Sequence, residues 1–218
     1  MRASRTESAA RYRYPQSRLL IFAKAPIPGR SKTRLAGKLG ARGAARLQAC
    51  LTRHTVNTAL RARLAPLQLW CAPSSAHGFF AACRRDYPLT LHRQHGADLG
   101  RRMHHALTCV LRGSGSAVLI GSDCPALTPA VLNNAFAALR DGADVVLVPA
   151  LDGGYVLIGV RRSAARLFQG ITWGSDRVLT QTRRRLRQLS LKCVELPALA
   201  DVDTPADLLR MKRSGWMS

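Results

Sequence analysis

The stretch Leu19-Leu20-Ile21-Phe22-Ala23-Lys24-Ala25-Pro26-Ile27-Pro28-Gly29-Arg30-Ser31-Lys32-Thr33-Arg34-Leu35 is an apolar run that ends in a turn of prolines, glycine and cations. An uninterrupted apolar segment bounded by breakers reads as a buried strand, here Arg18–Lys24. Pro26 and Pro28 stop it, and Gly29 lets the backbone approach a ligand closely. Lys24, Arg30, Lys32 and Arg34 then bring four cations to one loop, which with free N–H groups suits a polyanion. The loop is not a Walker P-loop, because Pro26 and Ser31 stand where its glycines are required. Gly113-Ser114-Gly115 is not a dinucleotide fingerprint either, since it precedes a strand instead of following one.

Working outward, the hydrophobic pattern alternates. It predicts a helix over Ala44–Leu64, a strand at Leu67–Cys71, a short helix near Ala76–Arg84 and a short strand around Leu89–Arg93. A helix across Leu99–Leu111 and the very apolar strand Ala117–Gly121 follow. Next come a helix Pro129–Arg140 with Thr128 as N-cap, then strands Asp144–Pro149 and Tyr155–Val160. The chain closes with a helix Asp176–Leu189, a strand Leu191–Leu196 and a helix Thr204–Met211 opened by Thr204-Pro205. Strands alternating with helices imply crossovers and an α/β fold: a three-layer, Rossmann-like, mostly parallel sheet with helices on both faces. In such sheets ligands sit beyond the carboxyl ends of the strands.

With 218 residues, 47% of them hydrophobic, the chain can bury one sizeable core, and no long linker or repeat marks a second domain. Residues 1–17 carry Arg2, Arg5, Arg11 and Arg13 with no apolar period and read as a flexible basic extension, leaving 18–218 as a single domain. Six scattered cysteines without a C-x-x-C pair argue for reduced thiols and against zinc or a disulfide framework. No apolar stretch reaches the ~20 residues of a membrane span, so the expected setting is cytoplasmic, with no membrane partner. The formal charge of +22 raises nucleic acid as a partner, but the arginines are spread along the chain and no nucleic-acid-binding motif is present. The excess suits attraction of small anionic substrates.

The 12 acidic residues are the informative ones. Asp123 follows the most apolar strand, where a carboxylate can reach a cation in the crevice. Asp201 and Asp203 are one residue apart before a helix, so in extended backbone they share a face. With Asp123 they offer the two or three ligands of a Mg²⁺ (or Mn²⁺) site that also takes phosphate oxygens. Asp152-Gly153-Gly154-Tyr155 reads equally as a turn and as a site loop. His104-His105 point apart on a helix and make a poor metal pair. Trp173 suits either stacking in a pocket or the core rim, and Cys124 shows no base that would activate it.

The segments Lys24–Leu35, Gln94–Met103, Gly121-Ser122-Asp123-Cys124-Pro125, Asp152–Tyr155 and Asp201-Val202-Asp203-Thr204 occur in an order that resembles the DUF2064 family, also called the rSAM/selenodomain-associated transferase 1 family. That family lies within the nucleotide-diphospho-sugar transferase (GT-A fold) superfamily, and the likeness runs over roughly residues 18–212. The resemblance implies a nucleotide bound along the first half of the sheet and a divalent metal near the central aspartate. The first loop is similar to the phosphate-binding loop of phospholactate guanylyltransferases and molybdenum-cofactor nucleotidyltransferases. By that similarity Gly29, Arg30, Lys32 and Arg34, with Lys24, cradle phosphates. Gln94 and Gly100 lie near the base or ribose, and Asp123, Asp203 and Asp201 hold the metal. Lys32 and Asp123 are the implied catalytic residues. Asp152, Gly153, Gly154, Tyr155 and Trp173 are expected to build the acceptor pocket. The cation-rich loop favours nucleotidyl transfer from a nucleoside triphosphate to a small phosphorylated acceptor, with pyrophosphate leaving. Transfer of a sugar from a nucleotide sugar is the alternative on the same fold.

Overall fold

The structure, a computed structural model, describes residues 12–213. Its core is one seven-stranded sheet in the order β3-β2-β1-β4-β6-β5-β7. The strands are β1 (Ser17–Lys24), β2 (Leu67–Ala72), β3 (Thr90–Arg93), β4 (Ser116–Gly121), β5 (Val145–Pro149), β6 (Tyr155–Val160) and β7 (Cys193–Glu195). Every pairing is parallel except those of β6, which runs antiparallel to both β4 and β5. The α/β reading therefore holds, and the reversal places Tyr155, the first residue of β6, at the edge where the other strands end.

The described residues form six α-helices around the sheet: α1 (Ala36–Ala62), α2 (Gly78–Asp86), α3 (Leu99–Leu111), α4 (Pro129–Arg140), α5 (Val178–Gln188) and, packed on α1, α6 (Pro205–Arg213). Strand alternation divides the core between the two faces. Leu19, Ile21, Leu69, Val118 and Ile120 pack with Val56, Phe80, Leu132 and Phe136 of α1, α2 and α4. Leu20, Phe22, Leu119, Leu147 and Ile158 pack with Met103, Leu107, Leu179 and Leu186 of α3 and α5. A third cluster, Leu35, Leu47, Leu51, Val202 and Leu208, fastens α6 and the segment before it to α1.

Two expected boundaries move by more than two residues. Helix α1 begins at Ala36, not Ala44, because Gly40 (φ 68°, ψ 162°) interrupts it, so the regular apolar period starts only beyond that kink. Residues 13–17, expected to belong to the flexible basic extension, are fastened to the fold. Arg13 N and Tyr14 N donate to Arg63 O and Leu64 O at 3.0 and 2.7 Å, and the Tyr14 ring stacks on Phe136 at 5.2 Å. Residues 1–11 lie outside the described part. Thr128 caps α4 as expected, accepting from Val131 N.

Phe136 is 1% exposed and lies between Tyr14 and the sheet, so its loss leaves a cavity that the surrounding strands cannot fill. Phe136→Ala should cost about 3–5 kcal/mol in urea unfolding followed by circular dichroism, and an unchanged midpoint would contradict this packing.

Candidate active site

Sheet order reverses at β1, which has β2 on one side and β4 on the other, and this opens a crevice at the carboxyl edge. The chain leaves β1 at Lys24 and folds a tight loop: Arg30 N and Ser31 N both donate to Ile27 O, at 3.0 and 3.2 Å. Gly29 takes a positive φ of 75° there. Lys32 also adopts left-handed backbone (φ 49°), and its side chain, only 2% exposed, turns inward. Its Nζ lies 2.7 Å from Val202 O, 2.9 Å from Asp203 Oδ1 and 3.0 Å from Asp123 Oδ2. Burial pulls the ammonium pKa down, but the two carboxylates outweigh it and hold it above its ordinary value.

Asp123 is set in place by a strand end, and Asp203 by the segment that leads into α6. Asp123 follows β4, and its Oδ1 accepts from Ser122 Oγ at 3.2 Å; that hydroxyl in turn accepts from Gln48 Nε2 on α1 at 3.1 Å. The backbone of Val202 donates to Asp123 O at 2.9 Å, so the segment carrying Asp201 and Asp203 lies along the Asp123 loop. Beyond it Thr204 and Asp207 form a reciprocal cap that opens α6: Thr204 N donates to Asp207 Oδ2 at 2.7 Å, and Asp207 N donates to Thr204 Oγ1 at 3.3 Å. Gln48 and Ser122 were not singled out in the sequence. One lies on a helix far along the chain, and nothing in its local pattern separates it from a surface glutamine.

Two cavities lie along this edge of the sheet, and Asp203 lines the first. The first, of about 390 Å³, is lined by Phe22, Met103, Tyr155, Trp173, Arg34 and the carboxylates Asp152, Asp176, Asp201 and Asp203, among others. The second, of about 450 Å³, is lined by Lys24, Arg30, Arg93, Gln94 and Arg102, and no acidic residue lines it. The cations of the first loop are thus divided: Lys24 and Arg30 face the second cavity, Arg34 faces the first and pairs with Asp203 at 3.6 Å, and Lys32 is enclosed by carboxylates. Gln94 lines the second cavity, with Nε2 donating to Trp70 O at 2.9 Å. Gly100 lies beneath Trp173, where a Cβ would come within 2.6 Å of the indole. Gly153 supports the same loop from the other side: a Cβ there would meet Asp176 O at 2.1 Å. The five residues expected to form an acceptor pocket, Asp152 to Tyr155 and Trp173, do come together; Asp152 Oδ1 accepts from Gly154 N at 2.9 Å, and the Tyr155 and Trp173 rings meet edge-on at 6.4 Å.

Asp123 and Asp203 are the carboxylates from which a divalent-cation site would be built. Among the described residues no three His, Cys, Asp or Glu side chains form a ready ligand group. Asp123 and Asp203 nevertheless lie within 3.0 Å of one Nζ, close enough to reach a single ion, and Mg²⁺ asks for only one or two carboxylates when phosphate oxygens complete its shell. Cys124 takes no part as a nucleophile: burial pushes its thiol up to about 12, and Sγ donates to Ala200 O at 3.3 Å.

A crevice at the switch point of a mostly parallel sheet, with a basic loop on one strand and aspartates on others, defines a nucleotide-diphospho-sugar transferase-type fold. The chain matches the family model DUF2064, uncharacterized protein conserved in bacteria, over residues 55–175, and it belongs to that family. It is similar, at 33% identity and a TM-score of 0.85, to a Desulfovibrio desulfuricans G20 protein provisionally assigned as a nucleotide-diphospho-sugar transferase, over 94% of this chain and 89% of that one. Two more distant structures share the fold. One is CMP:2-keto-3-deoxy-manno-octonic acid synthetase with CTP, at 12% identity and TM-score 0.61 over 92% and 98% of the two chains. The other is Rv0371c of Mycobacterium tuberculosis H37Rv with manganese, at 17% identity and TM-score 0.53 over 91% and 99%. No curated protein matches the chain. Among the described residues no helix is long and apolar enough to cross a membrane.

Asp201 has its pKa raised to about 6, first by burial and then by Asp152 and Asp203. Between about pH 4 and 6 the folded chain keeps a proton that the unfolded chain has lost, so this group's stabilising effect is full below its unfolded value and gone above the folded one. In EDTA, Asp201→Asn should therefore gain stability relative to the parent as pH rises from 4 to 6 and hold that gain above 6. A difference that is flat with pH in paired thermal melts would refute this environment for Asp201.

Proposed function

We propose that this chain is a metal-dependent transferase that moves a nucleotidyl group from a nucleoside triphosphate to a small phosphorylated acceptor, releasing pyrophosphate. The observation that carries this reading is the juxtaposition of a cation-lined, acid-free cavity with a carboxylate pair at the same sheet edge. Lys24, Arg30, Arg93 and Arg102 bind the triphosphate and orient its leaving end, where charge builds as the bond breaks. Asp123 and Asp203 would hold Mg²⁺ or Mn²⁺, which when bound neutralises charge on the phosphate oxygens. Lys32 keeps its proton and fixes the two carboxylates in register. Trp173 and Tyr155 close the first cavity around the acceptor and limit water beside the reacting group. The 33% identical relative favours a second reading on the same site, transfer of a sugar from a nucleotide sugar.

The leaving group separates the two. With a nucleoside triphosphate, Mg²⁺ and a panel of acceptors, pyrophosphate should appear in step with product; nucleoside diphosphate released from a nucleotide sugar, with no pyrophosphate from the triphosphate, would establish the sugar transfer instead. Asp123→Asn and Asp203→Asn should each cut turnover at least ~10²-fold while the fold is kept, and Arg30→Ala should raise KM for the nucleotide. Absence of nucleotide binding in calorimetry, with and without Mg²⁺, would refute both readings.

A further inference from the structure

The acidic residues are unevenly partnered. Of the chain's 12, all but Glu7 lie in the described part. Eight form ion pairs there: Asp86, Asp98, Asp123, Asp141, Asp144, Glu195, Asp203 and Asp207. The three that form none among the described residues, Asp152, Asp176 and Asp201, all line the first cavity. The chain carries 34 Lys and Arg, nearly three for each acid, so a carboxylate without a cation is the exception. Arg34 is the one cation in that lining and it pairs with Asp203, so these three carboxylates leave the cavity an excess of negative charge.

The wall beside these carboxylates is aromatic and apolar. Trp173 and Tyr155 stand edge to face at 84°, with Phe22 and Met103 in the same lining. Trp173 is held there by Gly100, which leaves no room for a Cβ beneath the indole, and the Asp176 backbone is held by Gly153 in the same way. A hard metal ion gains nothing from ring faces and thioether. An organic cation gains from both the rings and the carboxylates, because the ring quadrupole attracts the charge and the apolar wall receives its carbon substituents.

We infer that the acceptor carries a protonated or quaternary amine, bound between the Tyr155–Trp173 pair and the carboxylates Asp152, Asp176 and Asp201, with its nucleophilic oxygen directed at the Asp123–Asp203 end of the cavity. This rests on the reading of the first cavity as the acceptor site, and it holds whether a nucleotidyl or a sugar group is transferred. An amino alcohol and its phosphate ester share the chemistry, the amine at one end and the attacking oxygen at the other.

The test compares choline with 3,3-dimethyl-1-butanol, its neutral isostere, by calorimetry on the full chain in EDTA. Choline phosphate and glycerol 3-phosphate form a second pair, run with Mg²⁺ and nucleotide. The ammonium-bearing member of each pair should bind at least ~10-fold more tightly, and Asp176→Asn and Trp173→Leu should each shrink that preference to about 3-fold or less. In the same titrations nucleotide affinity should stay at the parental value in Asp176→Asn, which separates a lost amine site from a misfolded chain. Equal binding of the paired ligands, or no binding of either while nucleotide binds normally, overturns the inference and leaves the nucleotide reading standing. Competition of Mn²⁺ against choline in the absence of nucleotide, with no discrimination between the isosteres, would assign the carboxylates to a second metal and equally overturn it. Amine preference in a chain that binds no nucleotide would sustain the inference about the cavity and refute the transferase reading.

Discussion

The buried ammonium of Lys32 is the contact on which the arrangement of the site depends. It joins three segments distant in sequence: the loop after β1, the loop after β4 and the strand-like segment before α6. Burying one ammonium costs several kcal/mol, while a carboxylate at contact distance returns about 4 kcal/mol at an effective dielectric near 20, and less where it is half-exposed, as these are. One partner would leave the balance close to zero. Two carboxylates and the Val202 carbonyl tip it, which is why the lysine stays charged although desolvation is the largest single influence on it. The same contacts hold its backbone in the left-handed region, a conformation that a non-glycine residue keeps only when its surroundings over-determine it.

Topology explains why these three segments meet. With β6 reversed between β4 and β5, the ends of β1, β4 and β5 and the start of β6 all reach one edge. The Ala150–Leu199 bridge then runs the last segment back along that edge towards Asp123. Gln94, Asp123 and Asp152 sit one to three residues beyond β3, β4 and β5 and inherit the precision of the sheet, whereas Lys32 and Asp203, each eight residues past a strand, are placed by their contacts with one another. The glycines complete this. Gly100 and Gly153 let the Trp173 loop settle directly on α3 and on the Asp152 turn, closing one cavity without closing the other.

How much of this was legible in the sequence follows from which residues carry local signals. The strand before Asp123, the Thr128-Pro129 helix start and the turn at Asp152-Gly153 announce themselves, because propensity and capping act within a few residues. The meeting of Asp152–Tyr155 with Trp173 had a local signal too, an aromatic beside a helix start that suits a pocket wall. The fate of the four loop cations had none. Lys24, Arg30, Lys32 and Arg34 look alike on paper, and only the three-dimensional course of the loop, with a left-handed residue at Lys32, sends them to three different surroundings. Gln48 escaped for the same reason: its meaning comes from Ser122, 74 residues away.

The division of charge between the two cavities has a chemical logic. A formal charge of +22 draws any anion to the surface, so attraction alone cannot decide where a nucleotide settles. Discrimination requires a place that disfavours a polyphosphate chain, and the carboxylates of the first cavity provide one. A polyanion is repelled from Asp152, Asp176 and Asp201 and attracted to Lys24, Arg30, Arg93 and Arg102, so the two sides of the loop after β1 are held to opposite ligands. The Lys32 cluster, with Asp203 in the lining of the first cavity, already holds positive and negative groups in contact. The scarcity of acids elsewhere sharpens the contrast, because a mixed surface would blur the boundary that the site needs.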